Sequence, residues 1–315
     1  MTVFSHLPVL LDATIAQLDV RPGRRYLDGT LGGGGHSAAI LSSGGAVAGL
    51  DRDPSALAAA TERLSDLPGF LGAFRGPFAE MAHLAGHLGP FDGILLDLGV
   101  SSPQLDTPAR GFSFQHDGPV DMRMDPDQAL SASSLLEELT EPELTRILRE
   151  YGEEPRARRI ARAILAGRPW PSTTELASCV ARASGYRNSR THPATRTFQA
   201  LRIAVNDELG QLKQGLEAAL QLLKPGGRLA VISFHSLEDR VVKRRFASAA
   251  GRNAPRDAYG NPIPPPIGRL VVTRGIAGKD ADPTNPRARS ARLRVFEKHL
   301  PPHATSEPLP RSLRG

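Results

Sequence analysis

The sequence predicts a doubly wound, Rossmann-like α/β sheet interrupted by an inserted all-α domain, and three observations predict it. Short apolar runs alternate with helix-like segments from residue 25 to residue 97. Between Ser131 and Leu223 the alternation stops and only helical patterns are found. Strand-like runs return from Leu229 onward, so one sheet should bracket the helices. The division expected is a sheet domain in two parts, residues 1–105 and 206–315, around a helical substrate-recognition domain at 106–205. A chain of 315 residues is long enough for both.

Residues 25–28 read as the first strand and run into four successive glycines. A helix is expected over 36–41, a strand over 46–50 closed by Asp51, and a helix over 55–64. Asp53-Pro54 has the chemistry of a helix start, with a capping carboxylate before a proline. Residues 70–74 form a candidate strand, 80–88 a helix and 91–97 a buried strand. The helical block comprises 135–139, 143–151, 156–166, a segment opened by Ser172-Thr173-Thr174-Glu175, and one long run from 194 to 223. Lys224-Pro225-Gly226-Gly227 reads as a turn before a strand at 229–234, and closing strands are expected at 269–273 and 291–296. Proline-rich residues 254–266 and 301–310 read as a loop and a frayed tail.

Composition narrows the function classes. Hydrophobic residues make up 40% and charged residues 23%, which excludes wholesale disorder. The single cysteine, Cys179, cannot close an internal disulfide, and no apolar run is long enough to span a bilayer. A cytoplasmic protein without a membrane partner is expected. The net charge of +6 conceals segregation: residues 1–155 carry 10 arginines against 22 acidic groups, whereas 156–202 carry 10 arginines and only Glu175. Residues 240–315 hold 16 basic and 5 acidic groups. Two basic blocks, almost entirely arginine, fit a phosphate-rich partner, because each neutralised phosphate releases counterions. Nucleic acid is the partner class they favour.

In an open α/β sheet, ligands bind at the carboxyl ends of the strands. The first strand ends in Asp28-Gly29-Thr30-Leu31-Gly32-Gly33-Gly34-Gly35-His36, where glycines allow close backbone approach and a helix start offers free N–H groups. About twenty residues on, Asp51 can accept hydrogen bonds from ribose hydroxyls. Together they indicate an adenosine-containing cofactor. The glycine spacing matches GxGxxG only loosely, and the run 222–234 resembles the approach to the fifth strand in class I S-adenosylmethionine (SAM) methyltransferases. SAM is therefore preferred to NAD. The fourth strand runs into Asp97-Leu98-Gly99-Val100-Ser101-Ser102-Pro103-Gln104. Asp97, Ser101 and Ser102 are acceptors that could hold the N–H groups of an exocyclic amine, whose lone pair is otherwise delocalised into its ring. His83 and His87 stand four apart without a nearby glutamate and read as a solvated helix face rather than a metal site.

The runs 28–37 and 96–106, with Arg110-Gly111-Phe112-Ser113-Phe114 and Asp121-Met122-Arg123-Met124-Asp125, resemble the bacterial 16S ribosomal RNA cytosine-N4 methyltransferase family. So do the runs 195–202, 232–240 and 285–290. The resemblance spans nearly the whole chain. It implies a class I SAM-dependent fold and methylation of a cytidine N4 in the decoding centre, on the small ribosomal subunit or a late precursor. It also implies SAM contacts at Gly34, Gly35, His36, Asp51, Phe78, Asp97 and Gln104. The residues show no metal motif, so no metal is expected, and a homodimer is left open. Each residue keeps a plainer alternative: Phe78 as a core aromatic, His36 as a helix start, His235 as a sheet-edge residue rather than a base contact. An NAD-dependent enzyme and a catalytically inert RNA-binding protein on the same fold are the competing readings.

Overall fold

The structure, a computed structural model, describes residues 8–185 and 192–299. A short helix α1 (Leu11–Leu18), which the sequence reading passed over, precedes the sheet. Then come β1 (Arg25–Asp28), α2 (Gly35–Ser42), β2 (Ala46–Asp51), α3 (Pro54–Leu64) and β3 (Phe70–Arg75). A 3-10 turn at Phe78–Glu80, α4 (Met81–Leu84) and a second 3-10 turn at Gly86–Leu88 lead to β4 (Phe91–Asp97). The single helix expected over 80–88 is thus broken into three short pieces. A five-residue helix α5 (Ser102–Asp106) follows β4.

Five helices come next: α6 (Ala132–Glu138), α7 (Glu141–Glu150), α8 (Ala157–Ala166), α9 (Thr173–Ser184) and α10 (Ala194–Asn206). The long run expected from 194 to 223 is two helices, α10 and α11 (Glu208–Leu222). They are divided at Asp207, whose φ of 45° lies in the left-handed region. The chain re-enters the sheet as β5 (Leu223–Ser233), continues through α12 (Ser236–Ala249), and closes with β6 (Gly268–Leu270), β7 (Ile276–Ala277), α13 (Gly278–Ala281) and β8 (Arg292–Lys298). Lys224-Pro225-Gly226-Gly227 lies within β5 rather than before it. The register against β4 jumps from Phe91–Leu223 to Gly93–Arg228, so these residues form an irregularity in the strand, with Gly226 at φ 80°. The strand expected over 269–273 stops at Leu270.

The strand order is β3-β2-β1-β4-β5-β8-β6, with β7 pairing the other end of β8. Strands β1 to β5 are parallel and β8 runs antiparallel beside β5. This is the doubly wound order expected, with its switch point between β1 and β4, where neighbouring loops diverge to opposite faces. Two apolar clusters flank the sheet, one joining β4 and β5 to α11 and α12, the other joining β1 and β2 to α2 and α3. The helices between α5 and α11 bury their apolar faces in a third cluster of their own. There Ile160 and Ile164 of α8, four apart on one helix face, meet Leu144 and Leu148 of α7. Among the described residues, no helix is long and apolar enough to cross a membrane.

Candidate functional site

Three parallel strands end in aspartates: β1 in Asp28, β2 in Asp51 and β4 in Asp97. Above them opens a cavity of about 1250 Å³, lined from the glycine turn, the loop after β4, α10, α11 and α12. It is larger than a typical single-ligand pocket. Glycine is required twice along the turn for different reasons. At Gly29 an added Cβ would lie 2.6 Å from Leu96 Cδ2, and at Gly34 φ is +74° with Leu64 Cδ1 2.9 Å from the Cβ position. Gly34 faces α3 and does not line the cavity, whereas Gly33 and Gly35 do.

Asp51 is held by two backbone donors: the Gly32 N–H donates to Oδ2 at 2.8 Å and the Asp53 N–H to Oδ1 at 2.9 Å. Each oxygen keeps lone pairs for a further donor, and the residue lines the cavity. Burial raises its carboxyl above the usual range despite those bonds. Asp28 lies deeper. It accepts from the Ser37 hydroxyl at 2.8 Å and the Thr30 N–H at 3.2 Å, and burial still pushes it up to about 6.

Asp97 is the least satisfied of the three. Its backbone N–H donates to Thr30 Oγ1 at 2.6 Å, but its Oδ1 is buried with no hydrogen-bond partner among the described residues. Burial, reinforced by the like charges of Asp28 and Glu238, lifts its carboxyl well above the usual range. His36 Nδ1 stands 3.7 Å from Asp97 Oδ2 and its Nε2 lies 3.2 Å from the Val9 carbonyl. Burial brings the imidazole down to about 4, so the ring is neutral near pH 7 and supplies no charge to Asp97.

The loop after β4 is organised by a capping box. Ser101 Oγ accepts from the Gln104 N–H at 3.4 Å, and Gln104 Oε1 accepts from the Ser101 N–H at 2.9 Å. Gln104 Nε2 donates to Asp53 Oδ2 at 3.1 Å, so much of the Gln104 amide is engaged within the protein although it lines the cavity. Ser101 and Ser102 both line the cavity; Ser101 spends its hydroxyl on the cap, and Ser102 opens α5. Phe78, the first residue of its 3-10 turn, lies across α11 where Gly215 leaves room: a Cβ there would be 2.3 Å from the ring. The ring therefore packs as a core aromatic does and also lines the cavity. Asp53 takes the helix-capping part expected of it, accepting from the Ser55 N–H.

Several residues of the site carried no assigned role in the sequence reading. Arg110 donates to Asp53 at 2.6 Å and to the Arg123 and Met124 carbonyls at 3.0 and 2.9 Å, which fastens the 110–124 segment to the rim of the sheet. The recognised runs at 110–114 and 121–125 meet in this clamp, a signal that motif matching carries but periodicity does not. Arg202 of α10 pairs bidentately with Glu208 of α11 at 2.7 and 2.9 Å, and both line the cavity beside Glu238 of α12. Glu238 Oε2 accepts from the Phe234 N–H at 2.8 Å and caps α12. His235 does not line the cavity; its Nε2 lies 3.2 Å from Glu238 Oε1. Glu208, His235 and Glu238 bring ligand atoms within 4.8 Å of one another, but both Glu208 oxygens are already taken by Arg202. His83 and His87 are both exposed, but on separate short elements rather than on the one helix face expected.

The residues fit SAM. Two strand-end carboxylates, Asp51 and Asp97, and Glu238 line a space in which no lysine is present among the lining residues, and among the described residues the Asp97 carboxylate has no cation paired with it there. A ligand with a sulfonium and an ammonium group supplies such charge, and Asp51 retains acceptor capacity for ribose hydroxyls.

Comparison with known proteins adds a family. Residues 3–299 match the model of the MraW methylase family. "Ribosomal RNA small subunit methyltransferase H" of Heliobacterium modesticaldum is 51% identical over 313 residues, covering 94% of this chain and 99% of that one. The protein of the same name from Myxococcus xanthus is 52% identical over 300 residues, covering 94% and 98%. Among solved structures, an rRNA methylase from Streptococcus thermophilus aligns with a TM-score of 0.40 and 13% identity over 92% of this chain and 93% of that one.

Proposed function

Because the chain belongs to the MraW methylase family, we propose that it transfers a methyl group from SAM to the N4 amine of a cytidine in the decoding centre of 16S ribosomal RNA. The substrate form is the assembled small subunit or a late precursor, met in the cytoplasm. Asp97 carries the reading: a buried carboxylate oxygen without a partner, at the switch point of the sheet, beside a loop of acceptors.

SAM, when bound, supplies an electrophilic methyl group on its sulfonium. Asp51 holds the ribose hydroxyls, Phe78 covers the adenine, and the turn at Gly33, Gly35 and His36 shapes the floor. Gly34 contributes by turning the backbone, and Gln104 by fixing the loop against Asp53. Asp97 accepts an N4–H of the cytosine, with Ser102 as a second acceptor. Holding that N–H draws the amine lone pair out of the ring and toward tetrahedral geometry. No lysine and no cysteine lines the cavity among the described residues, and Cys179 is buried in α9. A cysteine adding to C6, as methylation at C5 ordinarily needs, therefore has no counterpart in the site.

The segment 106–205 is the substrate-recognition domain in this reading. It has its own apolar cluster and carries the arginine block, with Arg158, Arg159 and Arg162 exposed on α8. Arginines on such a surface suit an RNA backbone through bidentate phosphate contacts. The test is to incubate purified protein, labelled SAM and small ribosomal subunits and identify the modified nucleoside by mass spectrometry. N4-methylcytidine is expected; 5-methylcytidine or 2′-O-methylcytidine would overturn the assignment.

A further inference from the structure

The cavity wall formed by α10, α11 and α12 holds a donor that nothing in the protein uses. Arg202 spends Nε and Nη2 on Glu208, a fork that fixes the plane of its guanidinium. Its Nη1, with two N–H groups, has no hydrogen-bond partner among the described residues, and the side chain, 17% exposed, lines the cavity. Glu208 is 8% exposed, so the pair is costly to bury and is held in one geometry. Asp97, Glu238 and Arg202 all line the same cavity, so a base entering it meets an acceptor and a donor.

We propose that Arg202, oriented by Glu208, reads the target base by donating from Nη1 to cytosine N3 and O2. The proposal rests on the N4-methylation reading and extends it to base selection. A cytosine offers N4–H donors on one side and the N3 and O2 acceptors on the other. The Asp97 carboxylate, 24% exposed on the cavity wall, meets the first set and Arg202 Nη1 the second. Uracil inverts two of these positions: its O4 would face the Asp97 carboxylate and its N3–H the guanidinium. A guanidinium cannot become an acceptor, and its lock on Glu208 prevents it from turning away. Mismatched donors and acceptors in a closed site discriminate far more strongly than shape does. The Arg202–Glu208 pair spans the break between α10 and α11, so base reading would couple the helical segment to the chemistry of the sheet.

The experiment is a cycle between a side chain and a base atom. Small subunits are reconstituted with either cytidine or 3-deazacytidine, which replaces N3 by C–H, at the target position. Wild type is compared with Arg202→Gln/Glu208→Gln, a pair that stays neutral when buried, and with Arg202→Lys, which keeps the charge opposite Glu208 should the double variant fail to fold. On cytidine, kcat/KM should favour wild type by about 10- to 100-fold; on 3-deazacytidine, which keeps only the O2 contact, the ratio should shrink by at least about threefold. Any change in amine reactivity caused by the deaza substitution cancels in that ratio. SAM affinity by calorimetry should stay within about twofold of wild type in both variants. Equal ratios on the two substrates would overturn the proposal, and so would a large loss of SAM affinity, which would assign Arg202 to the cofactor. Failure of wild type to form N4-methylcytidine on unmodified subunits would instead sink the functional reading itself.

Discussion

The acidic groups of this protein fall into two populations. Around the helical segment and its seams, carboxylates are answered by arginines: Glu141 by Arg158 and Arg162, Asp121 by Arg123, Glu153 by Arg240, Asp53 by Arg110. Hydrogen bonds from Arg162 and Arg158 hold Glu141 below the usual range. Asp53 is also held low, because Arg110 and Gln104 outweigh its burial. At the ends of β1, β2 and β4 the same chemical group has no arginine on it, and burial drives Asp28, Asp51 and Asp97 upward. The chain is rich in arginine, and Arg52 even follows Asp51 in sequence, yet no arginine donates a hydrogen bond to these three carboxylates among the described residues. A fold can leave charge uncompensated where a ligand will compensate it, and the site is where local consistency is relaxed.

If that difference is functional, substitutions should separate the two populations. The largest effect should come from Asp97→Asn. Turnover on small subunits should fall about 100- to 1000-fold, the usual loss when one preorganised group at the reacting centre is removed. Thermal stability at pH 8 should be unchanged or higher, since an amide is cheaper to bury there. Asp53→Ala should act first on stability. It strands the Arg110 guanidinium and cuts the tie to 110–124, costing about 3 kcal/mol in denaturant unfolding.

Asp28→Asn should show its effect in the pH profile. The Asp28 carboxyl sits at about 6 in the folded protein, above its value in an unfolded chain. Its contribution is therefore complete below about pH 4 and is lost as pH climbs through 6. The variant should gain about 1–3 kcal/mol on wild type between pH 4 and pH 8, and a gap independent of pH would contradict the burial of an ionisable group there. The smallest effect belongs to Glu150→Ala on α7. Arg146 and Glu150 are more than half exposed, and removing their i,i+4 pair should change stability by no more than about 0.5 kcal/mol.

The first four strands were legible because they are apolar and short and end in an aspartate or beside a glycine. The breaks were not. The division at Asp207 depends on one non-glycine residue adopting a left-handed backbone, which periodicity cannot register, and the irregularity within β5 looks like an ordinary Pro-Gly-Gly turn until its partner strand is seen. In the site, Asp51 and Asp97 were legible because each closes a strand, whereas Asp28 was passed over as part of the glycine run. Arg202 did not, because its place on the cavity wall follows from how α10 crosses α11 rather than from its neighbours in the chain. Gly215 was invisible for the same reason: it is small because Phe78 lies on it.

The most direct test of the uncompensated site is proton linkage on cofactor binding. SAM is titrated into the protein by calorimetry near pH 6.5 in two buffers of different ionisation enthalpy, and the titration is repeated with S-adenosylhomocysteine, which lacks the sulfonium charge. A positive ligand should stabilise the ionised forms of Asp97 and Asp28, so SAM should release protons and S-adenosylhomocysteine should release fewer. Equal proton release by the two ligands, or none by either, would show that these strand-end carboxylates do not answer the charge of the cofactor.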